Sequence, residues 1–463
     1  MRKRLICVLV AVGAAAGVFL WVDRTSLRAD DILAAYQRAP NAAVLTMLYP
    51  RDGTLFPPEI VPPTFRWEDD KTPDAVWLVR VELGDGRPPV TRVTRERQWT
   101  PTLQEWERIK LASKDEMARI LVAGVRPGKP VQVLAATAFA IRTSKDEVGA
   151  PLFYREVNLP FENAVKDPSL IRWRFGAISS LQRPPVILEN LPVCGNCHSF
   201  SQDGRLLAMD VDYANSKGSY VISPIKQQMA LATSDIITWN DYKKEDGEQT
   251  FGLLSQMSPD GRYVLSTVKD KSVFVPMPDL AFSQLFFPIK GILCVYDCQT
   301  KTFSSLPGAD DPAFVQSNPC WSPDGKYVLF ARSRAYDLKN TVGQGKVLLT
   351  REECKEFVED GKPFLFDLYR VPFNEGRGGT PEPLAGASNN GVSNFFGCYS
   401  PDGKWIVFCR AKSYMLLQKD SELYILPAEG GQARRLQCNT GRMNSWHSFS
   451  PNGKWLVFSS KAW

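Results

Sequence analysis

Cys194-Gly195-Asn196-Cys197-His198 is the stretch of this 463-residue chain whose residue types and spacing specify a chemistry. Two thiols with two residues between them can each add across a vinyl group on one porphyrin edge, and the imidazole that follows becomes an iron ligand. The string therefore reads as a site for one covalently held haem c, attached through Cys194 and Cys197, with His198 as proximal ligand. Two other chemistries use paired cysteines. A dithiol redox pair wants a strand–helix–strand setting, and a zinc site wants a second ligand pair at zinc spacing. The sequence offers neither.

The elements that must carry this string are set by a repeat that begins beside it. Ser201-Gln202-Asp203-Gly204-Arg205, Ser258-Pro259-Asp260-Gly261-Arg262, Ser322-Pro323-Asp324-Gly325-Lys326, Ser400-Pro401-Asp402-Gly403-Lys404 and Ser450-Pro451-Asn452-Gly453-Lys454 recur, each followed by an aromatic or aliphatic run. Each is a tight turn: Pro fixes φ, Asp bonds its own backbone and Gly takes the positive-φ position. The run that follows reads as the second strand of a blade, with Ile292 to Asp297 and Leu423 to Pro427 among the later strands. On these residues the span 194–463 resembles the TolB-like branch of WD-type β-propellers. The resemblance implies a six-bladed family and a mainly β fold, and it implies no activity, because propellers host binding, scaffolding and catalysis alike.

The repeat also aligns the two histidines of the chain. His198 and His447 each lie six residues before a turn glycine, inside the identical strings His-Ser-Phe-Ser. Inner strands of blades face a central channel, and ring closure makes first and last blades neighbours. The expectation is bis-histidine ligation, with His447 as distal ligand. Met443 is the alternative distal ligand, with Met257 and Met209 behind it and an open sixth position as a further option. The fifth repeat stops after two strands. Either connector strands near 152–157 or 185–188 close the ring, or the sequence is truncated, and the two-strand ending favours truncation.

The rest of the chain gives context. Met1-Arg2-Lys3-Arg4 is a basic lead, and residues 5–22 form an uncharged run marginally long enough to span a bilayer. With no convincing cleavage site after it, the run reads as an uncleaved anchor in a bacterial inner membrane, its N-terminus cytoplasmic and the bulk periplasmic. That is the side on which haem c is attached. Residues 23–42 read as a spacer and 43–147 as an immunoglobulin- or fibronectin type III-like sandwich with Trp67 and Trp77 in its core. Residues 148–193 read as a connector. A formal net charge of +6, part of it in the basic lead, without Lys/Arg blocks interleaved with aromatics, speaks against a nucleic-acid partner.

Seven cysteines outside the motif and the anchor fit no small disulfide framework; they read as buried apolar residues with one or two disulfides among them. Asp210, Asp212, Asn215, Lys217 and Tyr220 read as a solvated strand edge in preference to a cation or propionate site. No Ser/His/Asp or Cys/His catalytic arrangement is present. By resemblance to c-type cytochromes, the expected activity is one-electron transfer with a redox partner protein. The competing expectation is a scaffold for envelope proteins or glycans in which haem is structural or sensory.

Overall fold

The computed structural model describes residues 27–39, 42–68, 74–84, 86–159, 161–189, 191, 195–214, 216–340 and 347–462. The expected anchor, Cys194 and Asn215 lie outside them. Among the described residues no helix is long and apolar enough to cross a membrane. The chain divides into two compact units after Asp146.

The first unit is a two-sheet sandwich with helices added. Its larger sheet runs Ala43–Val44, Gln132–Thr143, Ala118–Arg126, Val76–Glu82, Val90–Thr94, with Thr54–Phe56 joined to Gln132–Thr143; Thr46–Tyr49, Phe65–Glu68 and Gln98–Trp99 form the smaller. Alternation builds the core: Phe65 and Trp67 point in, Arg66 and Glu68 out. Trp67 and Trp77 are buried with ring centroids 5.6 Å apart. Burying each such ring stabilises the unit by roughly 3 kcal/mol. Two helices complete the unit. Ala29–Gln37 lies in the expected spacer, yet its Ile32 is buried with Val76, Leu78, Ala123 and Val125, so it belongs to the unit. Leu103–Ala112 starts at a capping box between Thr102 and Glu105 and buries Trp106 and Ile109 in the sandwich core.

The second unit is a series of antiparallel meanders in the order of a propeller. The first sheet is Gly195–Phe200, Leu206–Val211, Ser219–Pro224, Ile236–Thr238. Sheets two to four repeat the pattern from Leu253–Met257, Phe314–Trp321 and Ser393–Tyr399, and the fifth has two strands, Asn444–Phe449 and Leu456–Ser460. First strands of successive sheets lie side by side, which is how blades surround an axis.

The repeat turns hold as read, with one addition. In the third, Asp324 Oδ1 accepts from Lys326 N (3.1 Å) and Gly325 takes φ +69°. The hub is Ser322, whose Oγ donates to Asp324 (2.7 Å) and accepts from Tyr327 N (2.9 Å). The same Ser hub occurs in all five turns.

The connector strands form a sheet of their own. Leu152–Glu156 and Val186–Leu188 both pair with Arg172–Gly176, and among the described residues neither pairs with the fifth repeat. One face packs Trp173 and Phe153 against Met209, Val211 and Val221 of the first repeat. The chain entering this sheet meets the last turn, where Asn452 Nδ2 donates to Glu147 O (2.6 Å). The sheet thus packs on the first repeat, and the chain leading into it bonds the fifth.

Candidate haem attachment site

A bulge in every first strand decides where the site residues point. Pairing with the second strand slips at Gly195/His198, Leu253/Gln256, Ser317/Cys320, Phe395/Cys398 and Ser445/Ser448. In the last four the residue seven before the turn glycine is left-handed: Leu254 (φ 58°), Asn318 (56°), Phe396 (53°) and Trp446 (53°). A bulge re-aims the side chain that follows it. The sixth position then faces the preceding sheet. Ser255 Oγ donates to Asp210 Oδ1 of the first repeat (3.0 Å), and a Cβ on Gly397 would meet Leu329 of the third at 2.5 Å.

His447 obeys the same rule. Its Nε2–H donates to Val407 O of the fourth repeat (2.9 Å), and the Cys409 thiol meets Nδ1 at 3.8 Å. The ring is 3% exposed, and burial holds it neutral, its pKa lowered to about 4. Both nitrogens are therefore engaged by the fourth repeat, on the side away from the connector sheet.

His198 points into the equivalent gap, which here is walled by the connector sheet. Its ring centroid lies 4.6 Å from Phe153 and 5.9 Å from Phe200, both edge-on. Among the described residues no hydrogen bond reaches either ring nitrogen. Burial, followed by the charge of Arg155, lowers its pKa to about 4. Across the strand pair it sits opposite Met209.

Among the described residues no contact joins His198 to His447; one ring meets Phe153, the other Val407 O and the Cys409 thiol. The bulge accounts for this placement, because the sixth-position side chain of a repeat is turned towards the sheet that precedes it. Met443 is buried beside its own repeat, where its carbonyl accepts from Lys461 N (3.2 Å). The methionines ranked behind it are nearer the motif. Met209 faces His198 in register, and Met257 N donates to Ser199 Oγ (3.1 Å).

Cys197 is half-buried on the other face of its strand. There Ser199 Oγ and Tyr220 Oη are 3.3 Å apart, and burial, then Asp210, then Cys197 push the Tyr220 phenol well up. The expected solvated edge is not one. Burial drives the Asp210 carboxyl well up, Tyr220 is fully buried, and Asp212 is 6% exposed and paired with Lys217. Alternation along a strand gave the right partners but not the depth.

Against a covalently held haem the donor chemistry fits. His198 is held neutral by burial and, among the described residues, has no hydrogen bond to either ring nitrogen, which leaves a lone pair for an iron ligand. Cys197 supplies one thiol, and Cys194 lies outside the described residues.

No protein-family model matches this chain, and no curated protein does. Among solved structures it is similar to an oligogalacturonate lyase from Vibrio parahaemolyticus, at 14% identity and TM-score 0.35 over 67% of this chain and 65% of that one. It is similar to hydrazine synthase of Kuenenia stuttgartiensis, at 14% identity and TM-score 0.36 over 63% of this chain and 68% of that one. A third is the Synechocystis apocarotenoid oxygenase, at 10% identity and TM-score 0.37 over 93% and 90%. The chain spans just under two thirds of the lyase. At this level of likeness none of the three carries an argument about chemistry.

Proposed function

We propose that this chain is a membrane-anchored, extracytoplasmic monohaem c-type cytochrome on a TolB-like propeller, passing single electrons to a redox partner protein. The observation that carries the reading is the contrast between two sequence-equivalent imidazoles. His447 has both nitrogens occupied by the fold, whereas His198, the one preceded by C-x-x-C, is neutral and has neither bonded among the described residues. Haem c would supply an iron that alternates between ferrous and ferric states. Cys194 and Cys197 would fix the macrocycle to the first strand of the first blade. His198 would ligate it, and Phe153 and Phe200 would shield its edge from water. His447 is not part of this proposal.

The test is production with a cytochrome c maturation system, followed by a haem-stained denaturing gel and a reduced-minus-oxidised spectrum. A stained band that disappears in the double variant Cys194→Ser/Cys197→Ser supports the reading. An unstained full-length chain overturns it and leaves a propeller scaffold.

A further inference from the structure

Arg332 and Arg410 hold the same place in adjacent blades, seven residues after Gly325 and Gly403. Arg410 shows what the repeat asks of a side chain there. Its guanidinium lies over Tyr424 (4.2 Å to the ring centroid), Nε donates to Asn394 Oδ1 (3.1 Å) and Nη2 to Gly386 O (2.8 Å). Arg332 keeps the stacking and lacks the bonds. It lies over Tyr369 (4.9 Å), the counterpart of Tyr424, but its N–H groups meet no acceptor among the described residues, and Nε is sealed from water. Gln316 stands opposite it in register, as Asn394 stands opposite Arg410. Yet the Gln316 amide donates to Asp311 O (2.9 Å) and its Oε1 accepts nothing. Asp367, the other neighbour in register, gives Oδ1 to Asn389 N (2.8 Å) and makes no ion pair with Arg332.

The third repeat also has two residues that the fourth lacks. Phe314 stands where the fourth has Val392, and Arg334 where it has Lys412. The Arg332 guanidinium lies 3.6 Å from the Phe314 ring centroid and that of Arg334 4.7 Å from it, so one ring holds two cations. Arg334 is exposed, and among the described residues it too has no hydrogen bond or ion pair. Two like charges on one ring repel, and an N–H sealed from water without an acceptor is costly. An anion between the two guanidinium edges relieves both. We propose that Arg332 and Arg334 form a binding site for a phosphoryl group, taken up as free phosphate or as a phosphomonoester. Stacking occupies the faces of the two guanidinium groups and leaves their in-plane N–H forks to bond; a tetrahedral dianion offers oxygens to both and matches their charge. A carboxylate brings half that charge. The proposal is independent of the haem.

Inorganic phosphate is the probe, titrated calorimetrically into the intact full-length chain at low ionic strength, with glycerol 3-phosphate and acetate as parallel arms. The expected result is one phosphate bound per chain and acetate bound at least about tenfold more weakly. Arg332→Gln and Arg334→Gln should each weaken phosphate binding by at least about tenfold. Arg377→Gln, at an exposed arginine of the same blade, should leave it unchanged. Because Arg334 is exposed, its variant keeps the test decisive even where Arg332→Gln does not fold. Whichever of phosphate and its glycerol ester binds tighter through Arg334 identifies the source, and either supports the proposal. Absence of saturable binding by both overturns it. So does phosphate binding that Arg334→Gln leaves intact, or acetate binding as tightly as phosphate.

Discussion

The first and last repeats carry the same His-Ser-Phe-Ser string and the same strand pairing, yet they do different things with it. In the last repeat the imidazole is a strut between blades, tied to Val407 O and the Cys409 thiol. In the first, the preceding sheet comes from the connector and offers Phe153, an aromatic edge with nothing to bond. Equivalence in the repeat sets the direction of the side chain. The neighbour it meets sets its chemistry. The turns of these repeats show the same principle. Gln202 replaces the usual Pro, and its N–H donates to Pro259 O (2.8 Å); Asn452 replaces the usual Asp, and its amide donates to Glu147 O.

The comparison breaks first if the histidines exchange roles in haem content. His198→Ala should lower covalent haem per chain by at least about tenfold, through loss of the proximal ligand, and His447→Ala should leave haem per folded chain unchanged. Absorbance per unit protein after maturation reads both. A loss in His447→Ala alone would restore the bis-histidine arrangement.

Stability should show the reverse order. In haem-free protein, His447→Ala removes two hydrogen bonds and leaves a cavity, costing about 3 kcal/mol. His198→Ala loses aromatic packing worth about 1 kcal/mol. Denaturant midpoints at pH 7 rank the two, and equal costs would contradict the strut.

The strut also predicts a pH window. His447 has its pKa lowered to about 4 from 6.5, so folding favours its neutral form. Its contribution is complete above the unfolded value of 6.5 and is lost as pH falls towards 4, by up to about 3 kcal/mol. Unfolding curves of the wild type and His447→Gln should converge across that window. Parallel curves would show that the imidazole is not held neutral.

Much of this was legible in the chain because it is local. A Ser-Pro-Asp-Gly turn is specified by residues that touch each other, and its strands follow by alternation; Trp67 and Trp77 were placed in the core for the same reason. The aim of His447 was not legible. It depends on a left-handed residue just ahead of it, and Leu254, Phe396 and Trp446 are types that give no sign of positive φ. The separate connector sheet was hidden too, since pairing of Leu152–Glu156 with Arg172–Gly176 is decided by partners and not by strand propensity. The Ser hub of the turns could have been found, because Ser stands three residues before Gly in all five repeats.

The smallest expected effect is at the seam. Asn452→Asp places a carboxylate against the Glu147 carbonyl and should cost about 1–2 kcal/mol, although Asp is the residue of the other four turns. The reverse change, Asp402→Asn, should cost less than about 0.5 kcal/mol. Thermal midpoints compare them.

The account stands on haem at the first repeat and none at the last. Mass analysis of the tryptic peptide carrying Cys194 and Cys197, from protein matured with a cytochrome c assembly system, tests this most directly. One haem bonded to both sulfurs on that peptide is the predicted result. The same peptide recovered with two free or mutually linked thiols, from chain that carries no haem elsewhere, would contradict it.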